Sequence, residues 1–197
     1  MRQLVLASQN PGKLEELRRI LAGLDVELLD AAQAGLGDVD ETGETFQENA
    51  LLKARSGASA SGLWCVADDS GLVVDALGGA PGVRSARYAG AHGDDAANLG
   101  LLLERMEGVA ERRARFLCAA ALVGPSGQEL STTGVLEGTL TATPRGTGGF
   151  GYDPVFVPLG YTLTTAELPP GEKDAISHRG QAFRALRPLI RSALDVS

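Results

Sequence analysis

Two adjacent carboxylates and a hydroxyl stand at the end of an apolar segment. Asp68, Asp69 and Ser70 follow directly after residues 64–67, which read Trp-Cys-Val-Ala. Like charges at the mouth of a buried strand repel each other and resist desolvation, so a sequence tolerates them best where a divalent cation or solvent neutralises them. The segment is consistent with a metal-assisted reaction, and equally with an exposed turn that connects two strands.

A polar loop that ends in a lysine follows the first apolar run of the chain. Residues 4–7 read Leu-Val-Leu-Ala, and apolar residues recur at helical spacing from Leu14 onward. The free amide groups of a helix start and a lysine ammonium favour an anion such as phosphate. A serine or asparagine helix cap is the structural alternative, and the loop lacks the Gly-Lys-Ser/Thr ending of a Walker loop. The loop consists of Ser8, Gln9, Asn10, Pro11, Gly12 and Lys13.

Two segments in the second half of the chain combine residue types that could bind a flat, polar ligand. Residues 146–154 place Phe150 and Tyr152 among glycines, which let a ligand approach the backbone while a ring stacks on it. The alternative is a bulged strand entry with core aromatics. Residues 172–180 contain cations and hydrogen-bond donors at a predicted helix start, where positive charge is unfavourable unless an anionic or carbonyl-bearing ligand is present. The alternative is that these are ordinary surface side chains that bind no ligand.

The elements that must position these groups alternate between strand and helix. Helices are predicted with Pro11 in the first turn and Gly23 as the stop, from the capping box of Thr45 and Glu48 to Gly62, from Asp94 or Asp95, and from near Ser177 with a kink at Pro188. Strands are predicted at residues 4–7, 26–29, 63–67, 72–77, 116–123 and 129–137, the last two as a hairpin. This mixture predicts an α/β class with a mixed sheet.

Composition narrows the class of partner. The chain has 197 residues, enough for one large domain or a domain with a sub-lobe, and 44% of them are hydrophobic. A net charge of −7 disfavours a nucleic-acid polymer as partner. No apolar run approaches the roughly 20 residues of a membrane span and no signal-peptide pattern opens the chain, so we expect no membrane partner and a cytoplasmic location. Cys65 and Cys118 lie in apolar runs and are expected to be buried free thiols.

Taken in order along the chain, these segments resemble one family, the inosine/xanthosine triphosphate pyrophosphatases, also called Ham1-like. Eight collinear segments carry the resemblance: residues 8–13, 41–50, 53–55, 67–72, 78–82, 85–88, 148–154 and 176–181. The resemblance implies an elongated two-lobed α/β fold with a long mixed β-sheet and a central nucleotide cleft, formed by a single domain over residues 1–197. It also implies a homodimer and Mg²⁺-dependent hydrolysis of ITP, dITP, XTP and dXTP to the monophosphate and pyrophosphate.

The same resemblance implies a role for each motif residue. Asp69 would be the general base and a Mg²⁺ ligand, with Asp68 and Glu41 as further metal ligands, although Asp40 is adjacent to Glu41 and could take its place. The loop of residues 8–13 would hold the triphosphate, and Lys53 would add charge neutralisation from the neighbouring helix. Ser70 would contact the nucleotide. The base would be bound by Phe150, Gly151, Tyr152 and Asp153 on one side and by Lys173, His178 and Arg179 on the other.

Two other function classes are compatible with parts of the sequence. A non-catalytic nucleotide sensor would keep the lysines and glycines but lose the carboxylates, and all three carboxylates are present. A phosphatase acting on sugar phosphates or ordinary nucleotides is disfavoured by the base-binding segments.

A donor to the 6-carbonyl of hypoxanthine or xanthine, from His178, Arg179 or backbone amides of residues 150–153, would reject adenine, whose 6-amino group is itself a donor.

Overall fold

A computed structural model describes residues 2–195 as a mixed α/β fold built on one six-stranded sheet, which confirms the predicted class. The strands are β1 (Arg2–Leu6), β2 (Val26–Asp30), β3 (Trp64–Val74), β4 (Arg113–Val123), β5 (Glu129–Leu140) and β6 (Phe156–Pro158). The helices are α1 (Pro11–Ile20), α2 (Phe46–Ser61), α3 (Asp95–Arg105), α4 (Pro170–Ile176) and α5 (His178–Leu194). The strand order is β2-β1-β3-β4-β5-β6.

The sheet is mixed, as predicted. Strand β1 pairs in parallel with both β2 and β3, whereas β5 and β6 are antiparallel. In the β1–β3 register Leu6 lies opposite Val66, and the Ala7 amide donates to the Val66 carbonyl at 2.8 Å. Because the carboxyl ends of parallel strands meet at the same edge of a sheet, the loop that begins at Ser8 lies beside the residues that follow Val66 in β3.

The chain divides into two compact units. Unit 1 comprises the residues up to Asp69, residues 118–134 and the residues from Arg179 onward, while unit 2 comprises residues 70–117 and 135–178. Strands β3, β4 and β5 each contribute residues to both units. In unit 2 the apolar cluster is built around Phe116, Phe156 and Leu102.

In unit 1, alternate strand residues face two separate apolar clusters. Leu4 and Leu6 of β1 pack in a cluster with α1 and α5, while Val5 packs in the other with Ala50 and Ala54 of α2. This follows from the two-residue period of a strand, in which neighbouring side chains point to opposite faces. The polar residues that extend these strands inherit the same alternation, and this decides which helix each of them can contact.

The prediction that two strands flank an acidic turn is wrong. Strand β3 runs without interruption from Trp64 to Val74, and Asp68 and Asp69 lie within it with 2% and 5% of their surface exposed. An extended backbone is retained because each carboxylate finds a cation from a flanking helix, and Asp69 also accepts from the Asn49 side-chain amide, so no turn is needed to expose either of them. The alternative interpretation, an exposed connecting turn, is therefore wrong as well.

The helix signals are largely confirmed. The capping box of α2 is present in both directions between Thr45 and Glu48, and the helix ends at Gly62, whose φ of 69° is left-handed. Asp94 caps α3. Helix α5 continues through Pro188, and the short helix α4 precedes it without having been predicted. Within residues 2–195, no helix is both long and apolar enough to cross a membrane.

Both cysteines are buried free thiols, as predicted. Burial raises the pKa of Cys65 to about 12, and burial together with the charge of Asp68 raises the pKa of Cys118 as well. At pH 8 a thiol of pKa about 12 is ionised in only about one molecule in 10⁴, and the thiolate is the reactive form. We expect neither cysteine to react with iodoacetamide within an hour at pH 8 in the folded protein and both to react in urea. Intact-mass measurement gives the number of alkyl groups, and rapid labelling without urea would contradict the burial.

Candidate functional site

Helix α1 begins at the polar loop and directs a lysine toward β3. Asn10 caps the helix, since its side-chain oxygen accepts from the Lys13 amide at 3.1 Å, and Ser8 Oγ accepts from the Asn10 amide at 3.3 Å. The structural alternative of a helix cap is thus realised by Asn10. The same first turn carries Lys13, whose Nζ lies 3.1 Å from Asp68 Oδ2. The loop and the first of the paired carboxylates therefore meet in unit 1.

Asp68 is held as a buried anion by two cations. Besides Lys13, the Arg179 Nε lies 3.3 Å from Asp68 Oδ2, and the same guanidinium forms a buried ion pair with Glu16 of α1. Burial alone would raise the pKa of Asp68, but Lys13 and Arg179 outweigh it and hold that pKa far below its usual range. Burial would lower the pKa of Arg179, and Asp68 and Glu16 instead raise it. Asp68 is therefore ionised at any working pH.

Asp69 is held from the opposite side by α2. Its Oδ2 accepts from Asn49 Nδ2 at 3.1 Å, and its Oδ1 lies 3.5 Å from Lys53 Nζ. The same ammonium lies 2.6 Å from Glu41 Oε1, whereas Asp40 is exposed. Of the two neighbouring acidic residues, Glu41 is thus the one that shares the Lys53 ammonium with Asp69.

The ionisation of Asp69 and Lys53 differs from that of Asp68. Burial raises the pKa of Asp69 above that of an ordinary aspartate, and Lys53 and Lys13 offset only part of the effect. Burial would lower the pKa of Lys53, but Asp69, Asp68 and Glu41 raise it, so Lys53 is a permanent cation. Two adjacent aspartates consequently have pKa values displaced in opposite directions. A carboxylate with a raised pKa is the better proton acceptor of the two.

The alternation along β3 explains this division. Val66 packs in the cluster of α1 and α5 and Ala67 in that of α2, so Asp68 continues the first face and Asp69 the second. Within residues 2–195 no three acidic, histidine or cysteine side chains form a ready-made metal cluster. The carboxylates of Glu41, Asp68 and Asp69 instead contact the ammonium groups of Lys13 and Lys53. We call these five residues the carboxylate–lysine cluster.

Unit 2 contains a second cluster, formed by Phe150, Asp153 and Lys173. Lys173 Nζ lies 2.5 Å from Asp153 Oδ2 and 5.1 Å from the centre of the Phe150 ring. Asp153 Oδ2 also accepts from the Phe150 amide at 2.9 Å, and its Oδ1 accepts from Thr165 Oγ1 at 2.8 Å. Asp153 therefore fixes a lysine and an aromatic ring next to each other, an arrangement suited to a flat ligand with hydrogen-bond acceptors.

The glycines of this segment allow that close packing. Gly149 has a φ of 70°, and a Cβ at this position would collide with the Asp153 carboxylate and lie 3.0 Å from Lys173 Nζ. A Cβ at Gly148 would lie 2.8 Å from the Ala166 carbonyl oxygen. A larger residue at Gly149 would displace the pair formed by Asp153 and Lys173, and one at Gly148 would push against the Ala166 backbone.

The other residues predicted for base binding in unit 2 have partners within that unit. Tyr152 donates from its hydroxyl to the Ser85 carbonyl at 2.8 Å, and burial raises its pKa; its ring is a core aromatic, as the structural alternative held. The Gly151 amide donates to Asp95 Oδ2 at 2.8 Å. His178 is 7% exposed and stacks on Phe116 with ring centres 4.7 Å apart. Ser70 is half-buried in β3 directly after Asp69.

Comparison with known proteins identifies the family. The family model described as the Ham1 family matches residues 4–189. The chain belongs to the Ham1 family. A dITP/XTP pyrophosphatase of Streptomyces coelicolor is 58% identical over 98% of this chain and 100% of its own length, and one of Nocardia farcinica is 53% identical over 99% and 98%.

Solved structures of Ham1 proteins have the same fold. A HAM1 protein from Coxiella burnetii is 44% identical, with a TM-score of 0.88 over 98% of this chain and 100% of that one. A nucleoside-triphosphatase, also named dITP/XTP pyrophosphatase, from Mycobacterium abscessus is 51% identical, with a TM-score of 0.76 over 94% and 99%. The resemblance detected in the sequence is confirmed at the level of family and fold.

Two buried polar residues of this Ham1 chain were missed by the sequence analysis, Glu16 and Asn49. Each stands on the apolar stripe of its helix: Glu16 is one turn before Ile20, and Asn49 precedes Ala50 among the inward-facing residues of α2. A polar residue on a buried helix face signals a partner inside the protein, because an unpaired polar group there is costly. The stripe pattern could have identified both.

Proposed function

We propose that this protein is a nucleoside triphosphate pyrophosphatase that hydrolyses non-standard purine nucleoside triphosphates, ITP, dITP, XTP and dXTP, to the monophosphate and pyrophosphate. The observation that carries the proposal is the carboxylate–lysine cluster, in which Lys13 pairs with Asp68 and Lys53 pairs with Asp69, a buried aspartate of raised pKa. The names of the relatives, which are dITP/XTP pyrophosphatases, support the substrate class.

In this proposal Asp69 orients a water molecule and accepts its proton. A carboxylate whose pKa is raised by burial keeps an abstracted proton more readily than an exposed one, which suits a general base. Lys13 and Lys53 would give up some of their contacts with the carboxylates and bind the phosphate oxygens instead. There they would stabilise the negative charge that develops during the reaction. The rest of the loop at the start of α1, Ser8, Gln9, Asn10, Pro11 and Gly12, would line the triphosphate, and Ser70 would contact the nucleotide.

The donor set fits a magnesium ion. Glu41 and Asp69 are oxygen ligands that already share one cation, the Lys53 ammonium, and Mg²⁺ is usually held by one or two carboxylates together with substrate phosphates rather than by a closed protein cage. Bound Mg²⁺ would neutralise phosphate charge during hydrolysis. Asp68, the third predicted ligand, forms ion pairs with Lys13 and Arg179, and the anionic triphosphate would compete for these cations.

For the base, we propose that Phe150 stacks on the purine and that Lys173, fixed by Asp153, donates to its 6-carbonyl group. The amides of Phe150 and Gly151 each have one N–H, which already donates to a carboxylate, whereas the Lys173 ammonium has three N–H groups and can donate to a ligand as well as to Asp153. Gly151, Tyr152 and Asp153 would complete this side of the base-binding site. His178 and Arg179, proposed as its other wall, are 7% and 2% exposed, and a direct contact with the base requires these side chains to leave their present partners.

The resemblance further supports a single domain of two lobes, a homodimer and a cytoplasmic enzyme acting on the free nucleotide pool, and we include these in the proposal. Gel filtration coupled to light scattering tests the dimer directly, and a monomeric mass at micromolar concentration would remove it.

Product analysis tests the reaction itself. We expect ITP incubated with the protein and Mg²⁺ to give IMP and pyrophosphate in equal amounts, because cleavage occurs between the α and β phosphates. Anion-exchange chromatography and ³¹P NMR identify both products, and a reaction with EDTA in place of Mg²⁺ measures the metal requirement. Primary release of orthophosphate and IDP would reject the pyrophosphatase assignment, and binding of ITP without any turnover would favour the nucleotide sensor.

A further inference from the structure

Asn49 joins the acidic loop to Asp69. It lies in the first turns of α2 with none of its surface exposed. Its Nδ2 donates to Asp69 Oδ2 at 3.1 Å, and its Oδ1 accepts from the Gly43 amide at 2.8 Å. One buried side chain therefore binds both the carboxylate proposed as the general base and the loop that carries Glu41.

The orientation of this amide is fixed by its partners. The Gly43 backbone N–H can only donate, so it requires the oxygen of Asn49, and an ionised Asp69 can only accept, so it requires the nitrogen. A flipped amide would place donor against donor and acceptor against acceptor. Asparagine provides a hydrogen-bond partner for both neighbours, whereas aspartate or leucine, of similar size, would leave at least one of them without its hydrogen bond.

The loop reaches Asn49 only because residue 43 is glycine. A Cβ at Gly43 would lie 2.7 Å from Asn49 Oδ1 and 2.7 Å from Glu48 Cβ. The next two amides, of Glu44 and Thr45, donate to Glu48 Oε2 at 2.7 and 3.1 Å. One helical turn after Asn49, Lys53 binds Glu41 at 2.6 Å. The first half of α2 thus serves as a template for the acidic loop.

We propose that Asn49 is a positioning residue that holds Asp69 and the loop of Glu41 in a fixed relation, so that both carboxylates are aligned before substrate and metal arrive. The inference rests on the proposed function for its catalytic consequence. Partners that orient catalytic or metal-binding groups typically contribute about 10- to 100-fold to activity or metal affinity. A loss of alignment affects turnover more than nucleotide binding, because the lysines of the cluster remain in place.

The two bonds of Asn49 can be removed separately. Asn49→Asp keeps an acceptor for the Gly43 amide and replaces the donor to Asp69 by an oxygen. Gly43→Ala leaves the donor to Asp69 in place and pushes the loop away from α2. Asn49→Ala removes both bonds. Gln47→Ala is the matched control, since Gln47 is an amide of the same helix that donates to Ser131 Oγ at 3.0 Å instead of to a carboxylate.

Two measurements are made on each purified variant, with circular dichroism and Tm as checks of folding. Steady-state kinetics with ITP and Mg²⁺ give kcat and KM, and electron paramagnetic resonance gives the Kd for Mn²⁺ without nucleotide. We expect Asn49→Asp to lower kcat about 10- to 100-fold with KM changed less than about threefold. We expect Asn49→Ala and Gly43→Ala to raise the Kd for Mn²⁺ about tenfold, and Gln47→Ala to match wild type.

The outcomes separate this inference from the proposed function. Folded Asn49→Asp with the kcat of Gln47→Ala would overturn the alignment of Asp69, and an unchanged Kd for Mn²⁺ in Gly43→Ala would overturn the alignment of the loop. A lower Tm with unchanged kcat, KM and Kd would show a purely structural asparagine and also overturn it. If wild type hydrolyses no ITP, the proposed function fails, and the Mn²⁺ titrations still decide the role of Asn49.

Discussion

Replacing Asp69 by asparagine is expected to lower kcat for ITP by about 10²- to 10⁴-fold, the usual range for loss of a general base. The substitution preserves the shape of the side chain and still offers an oxygen to Asn49, which donates to Asp69 at 3.1 Å in the wild type. It removes the charge and the proton-accepting oxygen. The two lysines of the cluster remain, so nucleotide binding should change much less than turnover.

Single-turnover kinetics with excess enzyme separate the two effects, and fluorescence or calorimetric titration with ITP under inactivating conditions gives the Kd. Asp75→Asn is a suitable control, because Asp75 is an exposed aspartate outside the cluster that pairs with Arg115 at 2.7 Å. A folded Asp69→Asn protein that retains more than about a tenth of the wild-type kcat would transfer the role of base to another group.

Selectivity for the 6-carbonyl group is the second large effect. We expect kcat/KM for ITP or XTP to exceed that for ATP by at least about 10²-fold, with GTP also a poor substrate. Hypoxanthine and xanthine present an acceptor at position 6, whereas adenine presents an amino donor, and a buried donor left facing another donor can reject the wrong substrate by about 10⁴-fold. Lys173 lies 2.5 Å from Asp153, and its ammonium has only donors. It therefore cannot accept a hydrogen bond from the amino group of adenine.

Lys173→Met tests the source of this selectivity. Methionine keeps the length and apolar stem of lysine but offers no donor, so the variant should lose activity on ITP while its low activity on ATP changes little, and the ratio of kcat/KM values should fall at least about tenfold. Parallel initial-rate measurements with both nucleotides give the ratio. Equal kcat/KM values for ITP and ATP in the wild type would reject the preference for non-standard purines. An unchanged ratio in the variant would show that the selectivity depends on a residue other than Lys173.

Local signals in the sequence predicted the helices better than the strands. The capping box of Thr45 and Glu48 with Gly62 at the other end specifies α2 within the segment itself, because the bonds that define these ends join residues a few positions apart. Strand β3 defeated the same approach. Asp68 and Asp69 are typical of a turn unless cations are nearby, and one of those cations, Arg179, lies 111 residues further along the chain.

The sequence by itself determined the family, the α/β class and the α2 boundaries, since the order of the motifs and short-range capping depend on neighbouring positions. The tertiary structure alone decided which partner each group has. It assigned Asp68 to Lys13 and Arg179, Asp69 to Asn49 and Lys53, Glu41 rather than Asp40 to the cluster, and Tyr152 to the core. The physical reason is that adjacent side chains of a buried strand point to opposite faces of the sheet. The cations that offset the cost of burying their charges come from helices distant in sequence.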